Sequence, residues 1–85
     1  MRKTVRTAGR IEHALLGAQL RKAREKSGLT IRELADKLGR GYSYVGKIER
    51  GEQHIDIPSL LDFADAVGGD AVEMLRQVRT EAKKQ

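Results

Sequence analysis

The apolar residues between positions 31 and 48 follow a helical period that is interrupted once by glycine. In the first part of this stretch, apolar side chains recur at intervals of three and four residues, at Ile31, Leu34, Ala35 and Leu38. This spacing predicts a short amphipathic helix, and Gly39 and Gly41 after it predict a tight turn. A second short helix follows over about residues 42–50, and within it only Val45 and Ile48 are clearly apolar. Two short helices joined by so tight a turn are expected to cross steeply.

The other side of the second helix carries hydrogen-bonding and cationic groups instead of apolar ones. We expect this side to face outward, with Tyr42, Ser43, Gly46, Lys47 and Arg50 exposed. The major groove of B-DNA is wide enough to admit an α-helix and displays the donors and acceptors that such side chains recognise. The pattern therefore predicts a helix that reads duplex DNA.

Apolar periodicity and capping residues predict three further helices. The first, over Ile11–Lys26, carries two apolar rows that together predict a buried stripe: Ile11, Leu15 and Ala18, and Leu16, Leu20 and Ala23. Gly17 within this helix indicates a close approach by another helix. Asp56 and Asp70 fit the N-caps of the last two helices, the second of which spans about Ala71–Ala82. The apolar rows of the fourth helix are Leu60, Ala64 and Val67, and Ile57, Leu61 and Ala64.

Composition narrows the classes of fold and function. With one proline, one phenylalanine and no alternating run of β-branched residues, the 85-residue chain predicts a single small all-α domain. The absence of cysteine excludes a disulfide framework and a thiolate metal site, and it fits a reducing cytoplasm. His13 and His54 have no partners at metal-ligand spacing, so we expect no metal, and no cofactor is indicated. The sequence carries no nucleophile motif and no paired acid and base, which argues against an enzyme.

The formal net charge of +5 is distributed unevenly along the chain. Residues 1–10 form a basic arm with little apolar content, and its cations are Arg2, Lys3, Arg6 and Arg10. Residues 21–50 hold nine Arg and Lys against four acids, whereas residues 56–75 hold five acids and no base. A basic half that includes the predicted reading helix can release counterions from DNA phosphates, while an acidic half is repelled by them. The arm is predicted to be flexible, and it contacts either the DNA backbone or nothing.

Many positions of this pattern recur, in the same order, in one known family. They are Leu20, Arg24, Leu29, Thr30, Leu34, Ala35, Leu38, Gly39, Tyr44, Val45, Ile48, Glu49, Arg50, Gly51, Asp56, Leu60, Leu61, Ala64, Val67 and Gly68. On these residues the chain resembles the Cro/C1-type, or XRE-like, helix-turn-helix regulators, the family of the lambdoid phage repressors, over roughly residues 12–75. The resemblance implies a five-helix, lambda-repressor-like domain at residues 11–82, with the helix-turn-helix at about 30–50. The arm at 1–10 precedes this domain and a tail at 83–85 follows it.

The resemblance also implies roles for individual residues in binding DNA. The side chains expected to reach base edges are Tyr42, Ser43 and Lys47. Those expected to contact the DNA backbone are Thr30, Arg32, Arg40, Tyr44 and Arg50, together with the arm cations Arg2, Lys3, Arg6 and Arg10. Two alternatives stay open from the residues alone. A capping box with Glu33 explains Thr30 fully, and Tyr44 also fits an aromatic residue at the edge of the core.

Two further implications of the resemblance concern how the domain is held together. The family pairs the positions of Arg24 and Glu49 in a partly buried salt bridge that orients the reading helix, and two separate surface charges are the alternative. The family also implies a homodimer formed through the C-terminal helix, whose interface residues here are expected to be Val72, Met74, Leu75 and Val78.

The expected function is that of a cytoplasmic, sequence-specific DNA-binding regulator of transcription. As a homodimer it would bind an inverted-repeat operator in double-stranded DNA and act as a repressor, also of its own gene. Contact between the acidic half and RNA polymerase would give activation instead. The alternative is an antitoxin or another protein-binding module, whose C-terminal helices neutralise a partner protein. No apolar run is long enough for a signal peptide or a membrane span.

Overall fold

The computed structural model describes residues 10–85, and these residues fold into five α-helices without a strand. The helices are α1 (Ile11–Lys26), α2 (Ile31–Leu38), α3 (Tyr42–Glu49), α4 (Ile57–Ala66) and α5 (Ala71–Ala82). The prediction of an all-α, five-helix fold is therefore confirmed. None of the described helices is both long and apolar enough to cross a membrane. Of the predicted arm, only Arg10 lies among the described residues.

Local capping interactions set the bounds of α2 and of the turn that follows it. Thr30 Oγ1 accepts a hydrogen bond from the Glu33 backbone N–H at 3.0 Å, and Glu33 Oε1 accepts one from the Thr30 N–H at 2.9 Å. This capping box begins α2, and Gly39 ends it with a φ of +68°, a left-handed conformation that favours glycine. Gly41 precedes α3 with an extended backbone and no side-chain cap. Residues 39–41 thus turn the chain directly from α2 into α3.

The five helices enclose one hydrophobic core, to which each contributes at least two buried side chains. The core consists of Leu16, Leu20, Leu34, Ala35, Val45, Ile48, Leu60, Phe63, Ala64, Val67, Ala71, Met74 and Val78. Phe63 is its largest fully buried side chain, although neither predicted apolar row of α4 includes it. The core therefore lies in the middle of the domain, between α1 and the other four helices.

Parts of two predicted apolar rows are exposed, contrary to expectation. In α1, Ile11 and Ala18 are exposed because the core lies on the side of the helix that carries Leu20. In α4, Ile57 and Leu61 are exposed, since the neighbouring helices cover the opposite side. Sequence spacing shows which residues share a helix face, but packing decides which face is covered.

α1 crosses α3 at Gly17, where the two backbones touch. A Cβ atom at residue 17 would lie 2.5 Å from the carbonyl oxygens of both Ile48 and Glu49. Non-bonded carbon and oxygen atoms do not approach so closely, so any side chain here would push the helices apart. The prediction that Gly17 marks a close helix approach is confirmed.

A buried ion pair joins α1 to the last residue of α3. Arg24 Nε lies 2.6 Å from Glu49 Oε2, and Arg24 Nη2 lies 3.0 Å from Glu49 Oε1. Only 8% of Arg24 and 7% of Glu49 are exposed to solvent. The hydrogen bond to Glu49 raises the pKa of the Arg24 guanidinium. Arg24 Nη1 also donates to the Leu29 carbonyl at 2.8 Å, so one guanidinium holds both the end of α3 and the approach to α2.

Gly46, which we expected on the exposed side of α3, is buried instead. A Cβ atom at this position would meet only the guanidinium of Arg50, with Nη1 at 3.0 Å. The reason is that the Arg50 side chain, which starts four positions on along the same helix face, lies over Gly46. The outward face of α3 is therefore narrower than the sequence pattern indicates.

The two helix-interior glycines give a matched pair of substitutions with opposite expected effects. Gly17→Ala forces two backbones apart and should lower the free energy of unfolding by about 1 to 3 kcal/mol, the usual cost of overpacking. In Gly46→Ala the new methyl group contacts only the far end of the flexible Arg50 side chain. This variant should raise the free energy of unfolding by up to about 1 kcal/mol, because alanine favours the helix. Urea unfolding followed by circular dichroism measures both values. Equal changes of the same sign would contradict the backbone contact at Gly17.

The buried ion pair predicts a second difference in stability. Glu49→Ala leaves the Arg24 guanidinium buried without its counterion and should lower the free energy of unfolding by about 3 to 5 kcal/mol. The double variant Arg24→Met, Glu49→Leu removes both charges and should recover most of that loss. Thermal and urea unfolding of the wild type and the two variants provide the measurement. If the single variant were as stable as the double variant, the pair would not be desolvated in solution.

Candidate nucleic-acid interface

The outward side of α3 presents Tyr42, Ser43 and Lys47, the three residues that the family resemblance assigns to base edges, and all three are exposed. The inward side is closed, since Val45 and Ile48 are buried in the core. None of the ion pairs among residues 10–85 involves Lys47. A lysine without a carboxylate partner keeps all of its N–H donors for a ligand. The helix therefore has one face used for packing and one face available for binding.

Two guanidinium groups cover the two tyrosine rings at the start of α3. Arg32 Cζ lies 4.5 Å from the centroid of the Tyr42 ring, and Arg40 Cζ lies 4.3 Å from the centroid of the Tyr44 ring. Both distances are within the range of cation–π attraction. Arg40 Nη2 also donates to Ser59 Oγ at 3.1 Å, which links the turn before α3 to α4. No spacing in the sequence signals the first stack, because its two partners lie on different helices.

Several residues predicted to contact the DNA backbone already interact with protein groups. Thr30 caps α2, and Tyr44 is partly buried against the core, which supports the alternative role for each. Arg50 donates to Glu52 from Nε at 3.0 Å and from Nη2 at 3.2 Å. This hydrogen bonding raises the pKa of Arg50 and lowers the pKa of Glu52. The Arg50 guanidinium is thus held by a neighbouring carboxylate in the free protein.

Of the cations of the basic arm, only Arg10 lies among the described residues. Arg10 donates to Glu12 from Nε at 3.0 Å and from Nη2 at 2.8 Å, so its guanidinium is paired at the start of α1. The other predicted arm cations, Arg2, Lys3 and Arg6, lie outside the described residues, and their contact with DNA stays a prediction.

The four residues predicted to form a dimer interface do not share one environment. Val72 and Leu75 are exposed, at 65% and 42%, whereas Met74 and Val78 are buried in the core of the chain itself. A side chain that is buried within one chain has little surface left to bury against a second one. Val72 and Leu75 are therefore the two available members of the set.

His13 and His54 lie next to each other, with a ring-centroid distance of 6.0 Å. Within the described part of the chain, His13 Nδ1 is buried without a hydrogen-bond partner, and burial lowers the pKa of this imidazole. No group of three or more potential metal ligands occurs among residues 10–85. The two rings pack the start of α1 against the loop between α3 and α4.

Comparison with known proteins finds a family model and several solved structures that resemble this chain. A family model for the helix-turn-helix domain matches residues 15–82. The clp gene regulator ClgR from Corynebacterium glutamicum has a similar structure, with a TM-score of 0.79 and 28% identity, covering 87% of this chain and 79% of its own. An XRE-family like protein from Pseudomonas syringae pv. tomato is 35% identical, with a TM-score of 0.71, covering 84% of this chain and 85% of its own.

A third similar structure was solved with nucleic acid bound. It is SinR, a master regulator for biofilm formation in complex with DNA, with a TM-score of 0.65 and 28% identity over 71% of this chain and 97% of its own. Among curated proteins, none matches the chain significantly. The named neighbours are regulators, in line with the expectation that the chain is not an enzyme. Since the family model covers most of the sequence and the fold agrees, the chain belongs to the XRE-type helix-turn-helix family of DNA-binding transcriptional regulators.

Proposed function

We propose that the chain is a sequence-specific regulator that binds double-stranded DNA by placing α3 in the major groove. The observation that supports this is the division of α3 into a packed face and an exposed face carrying Tyr42, Ser43 and Lys47. Lys47 is suited to donate to guanine O6 and N7, and Ser43 to donate or accept at a base edge. The Tyr42 ring is suited to an apolar contact with a thymine methyl group.

The residues around this face would hold the protein on the DNA backbone. The N-terminus of α2, with its free N–H groups and positive dipole end, favours a phosphate beside Thr30. Arg40, Tyr44 and Arg50 flank α3 and would contact neighbouring phosphates, which position a protein without specifying sequence. Arg10 and the preceding arm cations would add salt-dependent affinity.

The proposed assembly is a homodimer that binds an inverted-repeat operator. Val72 and Leu75 leave apolar surface on α5, and burying it against a second copy would stabilise both chains. Two copies of α3 would then enter successive major grooves, about 34 to 36 Å apart. A dimer bound at a promoter would exclude RNA polymerase, so we propose that the protein represses transcription, including that of its own gene. We propose that it acts in the cytoplasm.

The same exposed apolar residues support one other candidate function. Val72 and Leu75 would also suit a protein-binding module, such as an antitoxin that neutralises a partner through its C-terminal helices. This candidate predicts a stable complex with a partner protein and no preference for any duplex. Selection of duplexes from a random pool by the purified protein separates the two functions.

Base reading by α3 predicts a specific pattern of affinity losses. Lys47→Ala should weaken binding to the preferred duplex by about 1 to 3 kcal/mol and relax the preference at one base pair, because a base contact is lost. Ser43→Ala should cause a smaller loss on the same duplex. Electrophoretic shift at fixed salt, with the preferred duplex and a random duplex, measures both effects.

Lys83→Ala is the matched control, since it removes the same charge from the end of α5, which packs against α1 and α4. It should change affinity little, and equally on the two duplexes. Base readout by Lys47 would be contradicted if Lys47→Ala lost the same small amount on the preferred and the random duplex.

The proposed interface predicts the effect of a charge on α5. Leu75→Glu should weaken dimerisation about 10-fold or more, because an ionised carboxylate replaces apolar surface that the second copy would cover. Sedimentation equilibrium measures the dimer constant, and circular dichroism checks the fold. The control is Gln77→Lys, which adds a charge about 200° round the same helix and can still donate to Glu73. Equal effects of the two variants would place the interface elsewhere.

A further inference from the structure

The start of α3 carries an exposed tyrosine that is covered by an arginine of another helix. Tyr42 is 55% exposed, and the Arg32 guanidinium of α2 lies over its ring with Cζ 4.5 Å from the centroid. Arg32 is one of the cations that the family resemblance assigns to the DNA backbone. Stacked on the ring, its guanidinium acts on Tyr42 directly.

We propose that Arg32 is a positioning residue that fixes the Tyr42 ring for contact with a thymine methyl group in the major groove. This inference rests on the proposed function, since it assumes that α3 reads duplex DNA. It adds a residue outside α3 to those that determine specificity, and it names the base feature that this residue helps to select.

Tyr42 has little else to hold its ring in one orientation. It is the first residue of α3, and the preceding Gly41 has no side chain. A Cβ atom added at Gly41 would find open space, so no side chain of another element packs at the residue before Tyr42. An unrestrained aromatic side chain loses rotamer freedom when it binds, and this loss weakens affinity. A guanidinium already stacked on the ring removes part of that loss before DNA arrives.

The geometry also favours a particular base feature. Arg32 covers one face of the ring, and Tyr42 is nevertheless 55% exposed, so DNA would contact the part of the ring that Arg32 leaves uncovered. That surface is apolar apart from the hydroxyl group. In the major groove the apolar group on a base edge is the C5 methyl group of thymine, which cytosine lacks. Arg32 and Tyr42 together therefore favour thymine at the contacted position.

A contrast with the second stack makes the role of Arg32 specific. Arg40 lies over Tyr44 but is also held by the Ser59 hydroxyl at 3.1 Å, and Tyr44 is partly buried against the core. Packing thus restrains Tyr44 without its arginine. Tyr42 is exposed and lacks such support, so the loss of its stacked arginine should have the larger effect on DNA reading.

A double-mutant cycle tests the proposal. The wild type first selects its preferred duplex from a random pool, and the affinities of Arg32→Met, Tyr42→Ala and the double variant are then measured on it. Arg32→Met should weaken binding about 2- to 5-fold, the range for an exposed cation–π pair. In the Tyr42→Ala background the same change should have no further effect. Replacing the contacted thymine with deoxyuridine, which removes only the methyl group, should weaken wild-type binding more than binding by Arg32→Met.

Arg76→Met is the matched control, because it removes an exposed arginine of α5 that pairs with Glu73 and stacks on no tyrosine. It should leave the deoxyuridine effect unchanged. In the free protein, NMR should find the Arg32 δ-methylene protons shifted upfield by the Tyr42 ring, and this shift should vanish in Tyr42→Leu.

Two results would overturn the proposal, and they are distinguishable. If Arg32→Met costs the same affinity with and without Tyr42 and lowers the salt slope by about one phosphate contact, Arg32 is a backbone contact and only this inference fails. If the wild type selects no duplex, the proposed function fails and the inference fails with it.

Discussion

The orientation of α3 depends on one buried ion pair. Arg24 and Glu49 join the last turns of α1 and α3 by two hydrogen bonds, and the same guanidinium holds the Leu29 carbonyl in front of α2. A buried pair of this kind does not necessarily make a fold more stable than apolar residues would. Its directional bonds nevertheless permit few arrangements of the groups they join. Beside it, the Gly17 contact sets how closely α1 and α3 approach.

These two contacts matter more in a small domain than in a large one. A chain of 85 residues buries a modest core, and its net stability is on the order of 5 to 15 kcal/mol. α3 spans only Tyr42–Glu49, too short to be stable as a helix in isolation. Its form and direction are therefore supplied by its neighbours. The outward face can carry residues with no packing role because the inward face and the ion pair hold the helix.

Most helix bounds could be predicted from the sequence because they depend on neighbouring residues in the chain. The Thr30–Glu33 capping box and the Asp56 and Asp70 caps form as expected, since each requires only a local hydrogen bond. The pairing of Arg24 with Glu49 followed from family resemblance, not from spacing. The structure brings the two together.

Features that depend on the packing of separate elements were not predicted. Neither apolar row of α4 includes Phe63, because the inward direction of this side chain depends on where the other helices lie. The apolar pattern of α3 predicts an exposed Gly46, but the Arg50 side chain covers it. The Arg32–Tyr42 stack joins residues of two helices. The exposure of Ser43 and Lys47 could be predicted from the sequence, because the apolar residues of α3 lie on the opposite side of the helix.

The cations around α3 differ in whether another group among residues 10–85 already holds their side chains. Arg24 is paired with Glu49, Arg40 is held by Ser59 and Tyr44, and Arg50 is paired with Glu52. Arg24 has a structural role, while Arg40 and Arg50 would have to exchange or share a partner to bind a phosphate, which reduces the net gain from that contact. Lys47 is exposed and takes part in none of the described ion pairs, so it has no partner to give up. The charge distribution therefore supports the proposed roles, in which Arg40 and Arg50 would position the protein on the DNA backbone and Lys47 would contact a base.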